Sequence, residues 1–380
     1  MMDRLELLRR LVAFDSTSRR GNREIARWVA DLLGQAGATV WLDPAGDGER
    51  FNVLATIGPE ADSTRQGLTL SGHLDVVPAD EPEWTSDPFT LVESDDRLIG
   101  RGACDMKGFV ALAVAALCDT DPATLCHPLG LVLTYDEEIG TRGARHLAER
   151  RPHLERLPKQ VIVGEPTSLR AVRMHKGHTG HRLTVRGRPA HSGFPHLGHN
   201  AITPLARAIV ALDQLRQDLE HEPAPNAEHF DDTPYVALNL ATISGGAAVN
   251  VIPDRATLDL GFRVLPGQDP TAVDRRIREV LEATLDGEDW NLEELHRAPP
   301  MEPPADHAFH RRFLELLGQE ASRAVAYATD GGWLASAGFD CLIWGPGDIA
   351  VAHQPNEWLA MHQFEQAETL LDQAVRRLCG

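Results

Sequence analysis

Scattered along this chain are the side chains that divalent cations and proton transfers use. His73 and Asp75 stand two apart in SGHLDVVP, Asp105 lies in GRGACDMKG, and Asp136, Glu137 and Glu138 are consecutive in TYDEEIG. Glu165 follows in VIVGEPTS and His353 in GPGDIAVAHQPNEW. Two residues apart at the end of an apolar strand, His73 and Asp75 project to the same side. An imidazole there can ligate a metal through one nitrogen while the carboxylate takes the proton of the other. Adjacent carboxylates at a strand end repel one another, and a nearby cation relieves the repulsion. Each motif also has a plain reading: a surface His-x-Asp pair, a helix N-cap at Asp105, and a solvated acidic turn at 136–138. Together they make an imidazole and carboxylate set without thiolate, which suits catalytic zinc, manganese or cobalt rather than structural zinc. Asp105, Glu138 and Glu165 against two divalent ions leave one positive charge, which a hydroxide balances. Too few ligands remain for two separate tetrahedral sites, so one carboxylate is expected to bridge ions about 3.5–4 Å apart.

Strand ends must position these groups. Ile25, Trp28, Val29, Leu32 and Leu33 recur at helical spacing, and β-rich runs follow at 51–56, 67–71 and 129–135. The run 109–117 (FVALAVAAL) reads as a buried helix, and 160–167 as a strand entering a polar loop. This alternation predicts an α/β domain with its polar motifs at strand ends. From 176 the order changes to strand (181–187), helix (199–218), strands (235–244 and 255–264), helix (270–285) and strand (290–296), a β-α-β-β-α-β pattern. We expect residues 1–175 and 297–380 to form the catalytic domain and 176–296 an insert, left through the Pro-rich run 297–306. A polar loop is expected at 219–232 and a last helix near 362–378.

Composition narrows the partners. The 380 residues are 42% hydrophobic, enough for two domains, and the net charge of −19 disfavours nucleic acid. Five scattered cysteines form no CxxC pair, and charges interrupt the opening MMDRLELLRRLVAF, so a reducing cytosol and no membrane span are expected.

The motifs SGHLDVVP, GRGACDMKG, YDEEIG, GEPT and GPGDIAVAHQPNE, in this order, resemble those of the di-zinc aminoacylase and deacylase metallopeptidase superfamily. FNVLATIG, WTSDPFTL, GEPTSLRAVRMHKGH, VALNLATISGG and RVLPGQ extend the likeness over nearly the whole chain. The resemblance implies a zinc-peptidase-like catalytic domain with a central mixed sheet, plus an inserted ferredoxin-like α+β domain serving as lid and dimerisation surface. It further implies that Asp105 bridges two metals, His73 and Glu165 completing one site and Glu138 and His353 the other. Glu137 is then the catalytic carboxylate, assisted by Asp75, and the family often has a cis peptide environment near the bridging residue. His191 in GRPAHSG corresponds to a histidine that reaches the active site, often from the partner subunit of a homodimer. Asn250 in VNVIP and Arg263 in FRVLPG match positions holding a substrate carboxylate.

The activity implied is metal-dependent removal of an acyl group from a small N-acyl amino acid, N2-acetyl-L-ornithine first, as in arginine biosynthesis. Members acting on that substrate usually carry Thr-Glu-Ala before the last ligand. This chain reads AYATDGGW, offering Asp330 to a substrate ammonium. Desuccinylases typically show Ser-Asp-Gly-Arg there, toward which Asp330-Gly331 leans, while the lack of an arginine at Gly332 or Trp333 leans back; N-succinyl-diaminopimelate and N-acetylcitrulline stand as alternative substrates, and a non-catalytic binding relative as the alternative of another class.

Overall fold

The computed structural model describes residues 2–62, 64–151, 153–303 and 307–380. The end of the Pro-rich run, 304–306, lies outside the described residues. The chain divides into two compact units: Met1–Met174 with Pro303–Ala324 and Thr329–Gly380, and His175–Glu302 with Val325–Ala328.

The first unit is built on an eight-stranded mixed sheet in the order Thr39–Pro44, Phe51–Ile57, Leu129–Thr134, Leu68–His73, Gln160–Val163, Asp340–Ile343, Val172–His175 and Arg323–Val325. Leu68–His73 pairs in parallel with both Leu129–Thr134 and Gln160–Val163, and Asp340–Ile343 pairs in parallel with Gln160–Val163. The carboxyl ends of these four strands therefore open on one side of the sheet, where open α/β sheets place their sites. Leu68–His73 and Leu129–Thr134 are buried along their whole length, as strands covered on both faces must be.

The helix Gly108–Asp119 is almost entirely apolar, and its residues from Gly108 to Leu117 are buried, because a helix that is hydrophobic all round has to lie inside the core. Leu7, Leu8, Leu11 and Val12 of Arg4–Val12 join the same core, as do Ile25, Val29 and Leu33 of Arg23–Gln35 and Phe364, Leu371 and Val375 of Met361–Cys379. Where Gln160–Val163 leaves the sheet, Gly164 lies against Phe109. A Cβ there would fall 1.9 Å from the ring, so only glycine lets this strand end approach the core helix.

The second unit carries a four-stranded antiparallel sheet in the order Ala237–Gly245, Arg255–Arg263, His178–Arg186 and Asp289–Ala298, with the helices Ile202–His221 and Pro270–Thr284. Its chain order is β-α-β-β-α-β. Several boundaries differ by one to three residues from those expected, the first helix among them. The helix expected at 199–218 begins at Ile202, because His199 exchanges main-chain hydrogen bonds with Arg188 and Asn200 Oδ1 accepts the Ile202 N–H at 2.9 Å. Within the polar stretch 219–232 that helix continues to His221, and a 3₁₀ turn spans Ala227–His229. No helix among the described residues is long and apolar enough to cross a membrane.

Candidate active site

His73 ends its strand with the imidazole buried. Its Nδ1 lies 2.9 Å from the main-chain oxygen of Asp75. A carbonyl only accepts, so Nδ1 carries the proton and Nε2 faces Asp105 Oδ1 at 3.0 Å. The expectation that the Asp75 carboxylate takes this proton is corrected, since that carboxylate stands 3.7 Å from Nδ1. It is occupied by other donors: the Ser18 hydroxyl at 2.8 Å, the Glu137 N–H at 3.0 Å and the Glu138 N–H at 3.3 Å.

Asp75 thereby fixes the main chain of the acidic turn, and the three consecutive carboxylates separate. Asp136 has a left-handed φ of 51° and pairs with Arg50 Nε at 2.7 Å. It takes no part in the cluster around His73. Glu138 reaches His353, whose Nε2 lies 2.9 Å from Glu138 Oε2 and 3.4 Å from Asp105 Oδ2. Glu137 turns toward Glu165: ligand atoms of His73, Glu137 and Glu165 lie within 4.8 Å of one another, as do those of His73, Asp105 and Glu138.

Asp105 sits in an irregular turn, Ala103–Lys107, and precedes the core helix; the Asp105–Met106 peptide is cis. The two oxygens of its carboxylate address different imidazoles, Oδ1 that of His73 and Oδ2 that of His353. Asp330 is buried, with Oδ2 accepting the Thr134 hydroxyl at 2.5 Å and Oδ1 without a partner.

The electrostatics follow from this crowding. Burial, and then the charge of Glu165, push the Glu137 carboxyl well above its ordinary range, and burial with Asp105 raises Glu165 and takes Glu138 to about 7. Burial likewise pushes Asp330 up to about 7. Burial also opposes ionisation of Asp105, but hydrogen bonds from His353 and His73 outweigh it and hold this carboxyl low. His353 is raised to about 10 by its bonds to Asp105 and Glu138. Burial disfavours charge on His73, yet Asp105, Glu137 and Glu165 raise it well above the usual imidazole value. Carboxylates this close in a buried site demand compensating positive charge, and divalent cations suit a donor set of two imidazoles and several carboxylates.

The remaining residues named from the sequence lie in the second unit. His191 is exposed, its Nδ1 accepts the Gly193 N–H at 3.0 Å, and it bridges Val251 through the main chain. Asn250 is also exposed, and its carbonyl accepts the Ser192 N–H at 2.9 Å, so the two loops meet. Arg263 donates to the Ala326 carbonyl at 3.3 Å. Burial lowers its pKa.

Sequence reasoning passed over two fully buried charges, Glu357 and Arg101, which pair at 2.7 Å. Both stood in motifs already singled out, Arg101 in GRGACDMKG and Glu357 in HQPNEW. A carboxylate beside a Pro-Asn turn reads as surface, and only the fold reveals its burial.

Comparisons with known proteins agree with this architecture. Residues 69–377 match the model of peptidase family M20/M25/M40. The acetylornithine deacetylase of Proteus mirabilis (strain HI4320) is 36% identical over 386 residues, covering 99% of this chain and 96% of that protein. Among solved structures, the M20 family metallo-carboxypeptidase Sso-CP2 of Sulfolobus solfataricus superposes with a TM-score of 0.81 at 19% identity, covering 99% of each chain. A dinuclear metal-binding M20 peptidase of Bacillus subtilis superposes with a TM-score of 0.64 at 15% identity, covering 98% of this chain and 97% of that one. With the family model spanning most of the sequence and a curated relative aligned nearly end to end, the chain belongs to peptidase family M20/M25/M40 and is a hydrolase acting on amide bonds.

Proposed function

We propose that this hydrolase removes the acetyl group from N2-acetyl-L-ornithine, using two divalent cations held by His73, Asp105, Glu138, Glu165 and His353. The observation that carries the reading is the disposition of Asp105, one oxygen 3.0 Å from His73 Nε2 and the other 3.4 Å from His353 Nε2. A carboxylate so placed fits a bridge, with His73 and Glu165 completing one cation site and Glu138 and His353 the other. Zinc suits these ligands, and cobalt or manganese can replace it. When bound, such ions polarise an acyl carbonyl and make a water acidic enough to attack it near neutral pH.

The chain's own groups do the rest. Glu137 takes the proton of the attacking water and returns it to the departing amine. Asp75 aims Glu137 by holding its N–H group and that of Glu138. His191 supports the developing oxyanion, Asn250 and Arg263 hold the α-carboxylate, a task suited to a guanidinium fork, and Asp330 receives the ornithine ammonium. Ornithine and acetate leave, a cytoplasmic step of arginine biosynthesis.

The test is deacylation of N2-acetylornithine beside N-acetylcitrulline and N-succinyl-diaminopimelate, with zinc or cobalt and with a chelator. We expect acetylornithine to be preferred by about tenfold or more in kcat/KM, the scale of discrimination a few pocket contacts provide, and the chelator to abolish turnover. A preference for the succinyl substrate would move the specificity to the alternative that the Asp330-Gly331 pair suggests. Absence of turnover on all three would favour a binding protein.

We further propose a homodimer formed through the second unit. Its edge strand Ala237–Gly245 leaves Ile243 63% exposed, and Val210 and Val249 stand 72% and 102% exposed in the same unit. An exposed apolar sheet edge invites pairing with a second copy. Light scattering should give twice the chain mass, and Ile243→Lys should halve it. A wild-type monomer at micromolar concentration would end the proposal.

A further inference from the structure

The carboxylate of Glu357 is only 1% exposed and meets three donors. Its Oε1 accepts the main-chain N–H groups of Cys104 at 2.9 Å and Asp105 at 3.0 Å, and its Oε2 accepts Arg101 Nη1 at 2.7 Å. Arg101 is equally buried, lies over Trp84 with its guanidinium carbon 5.2 Å from the ring centroid, and also donates to the carbonyls of Pro78 at 3.1 Å and Gln354 at 3.4 Å. The Glu357 carbonyl in turn accepts the Gly100 N–H at 2.9 Å.

These bonds join two loops. One carries Asp105, whose φ of −121° and ψ of 94° are not helical, so the main-chain N–H groups here cannot rely on a regular helical ladder. The other carries His353, four residues before Glu357. Without an acceptor at Oε1, the turn that aims the Asp105 oxygens at His73 and His353 loses the two bonds that hold its Cys104 and Asp105 N–H groups.

We propose that Glu357 is a positioning residue of the two-cation site: by accepting the Cys104 and Asp105 N–H groups it sets the orientation of the Asp105 carboxylate and ties it to the loop of His353. The inference rests on the two-cation reading above. Groups of this kind, which orient a ligand without touching the ion, typically govern metal affinity as well as activity. Arg101 supplies the charge that lets the carboxylate remain buried.

The experiment is calorimetric titration of Zn²⁺ into the full-length, chelator-treated protein, with thermal unfolding measured in parallel. Glu357→Ala should bind about 10- to 100-fold more weakly than wild type. Glu357→Gln, which keeps the acceptor oxygen but takes from Arg101 its buried counter-charge and leaves it only Glu81 at 3.7 Å, should be destabilised yet bind more tightly than Glu357→Ala. Leu371→Ala, in the core on Met361–Cys379, should lower the melting temperature without weakening affinity. The role of Glu357 is overturned if Glu357→Ala binds as wild type, if Glu357→Gln loses as much affinity as the alanine variant, or if Leu371→Ala loses as much at a matched melting temperature. Wild-type protein that takes up no ion would bring down the cation reading itself, an outcome distinct from equal uptake by wild type and variants.

Discussion

Replacing Glu137 by glutamine leaves a folded protein that still takes up two cations but turns substrate over about 10²- to 10⁴-fold more slowly, the range that a positioned acid-base group contributes. The separation of the acidic turn underlies this expectation. Asp136 is held by Arg50 and Glu138 by His353, so among the three consecutive carboxylates Glu137 is free to serve proton transfer. Glutamine keeps its shape and the main-chain bond to Asp75, and loses only the capacity to take and return a proton. The loss therefore falls on kcat, with KM little changed. Stability should not suffer: the neutral amide replaces a carboxyl whose ionisation burial, and then the charge of Glu165, already oppose. Steady-state kinetics with metal analysis decides the matter. Turnover within tenfold of wild type, with both ions bound, would remove Glu137 from its role.

Asp105→Asn has the other large expected effect, a fall from two bound ions per chain to one at most and activity near the metal-free background. A neutral amide cannot supply the anionic bridge that two cations require, and its NH₂ end would face one of the imidazoles. A second readout is independent of activity. His353 owes its rise to about 10 first to Asp105 and then to Glu138, so in the metal-free variant its titration should move down toward the ordinary imidazole range. Two ions bound to Asp105→Asn at wild-type affinity would exclude the bridging role, and an unmoved His353 titration would exclude the coupling.

Much of this site was legible in one dimension because its residues sit at strand ends, and strands of the central sheet announce themselves as short apolar runs. LTLSGH, LGLVLT and QVIV each end just before or at a ligand candidate. The second unit's strands and helices were readable for the same reason, since periods of 2 and 3.6 survive without tertiary information. Strand Arg323–Val325 was not, being three residues long and only partly buried. The partner of His73 Nδ1 was also illegible. A His-x-Asp spacing is compatible with a bond to the carboxylate or to the main-chain carbonyl, and three donors from Ser18, Glu137 and Glu138 decide between them.

What the sequence by itself determined is the chemical inventory and its placement on local elements: imidazoles and carboxylates without thiolate, at the ends of apolar strands, in an order characteristic of one hydrolase family. Side-chain type and periodicity are local properties, so a single chain carries them in full. Tertiary structure alone decided which of Asp136, Glu137 and Glu138 turns inward, which oxygens of Asp105 face His73 and His353, and that Glu357 and Arg101 are buried behind them. These depend on contacts between residues as far apart as Asp105 and Glu357. Such choices are made by competition among buried donors and acceptors, which exists only once the strands have been brought together.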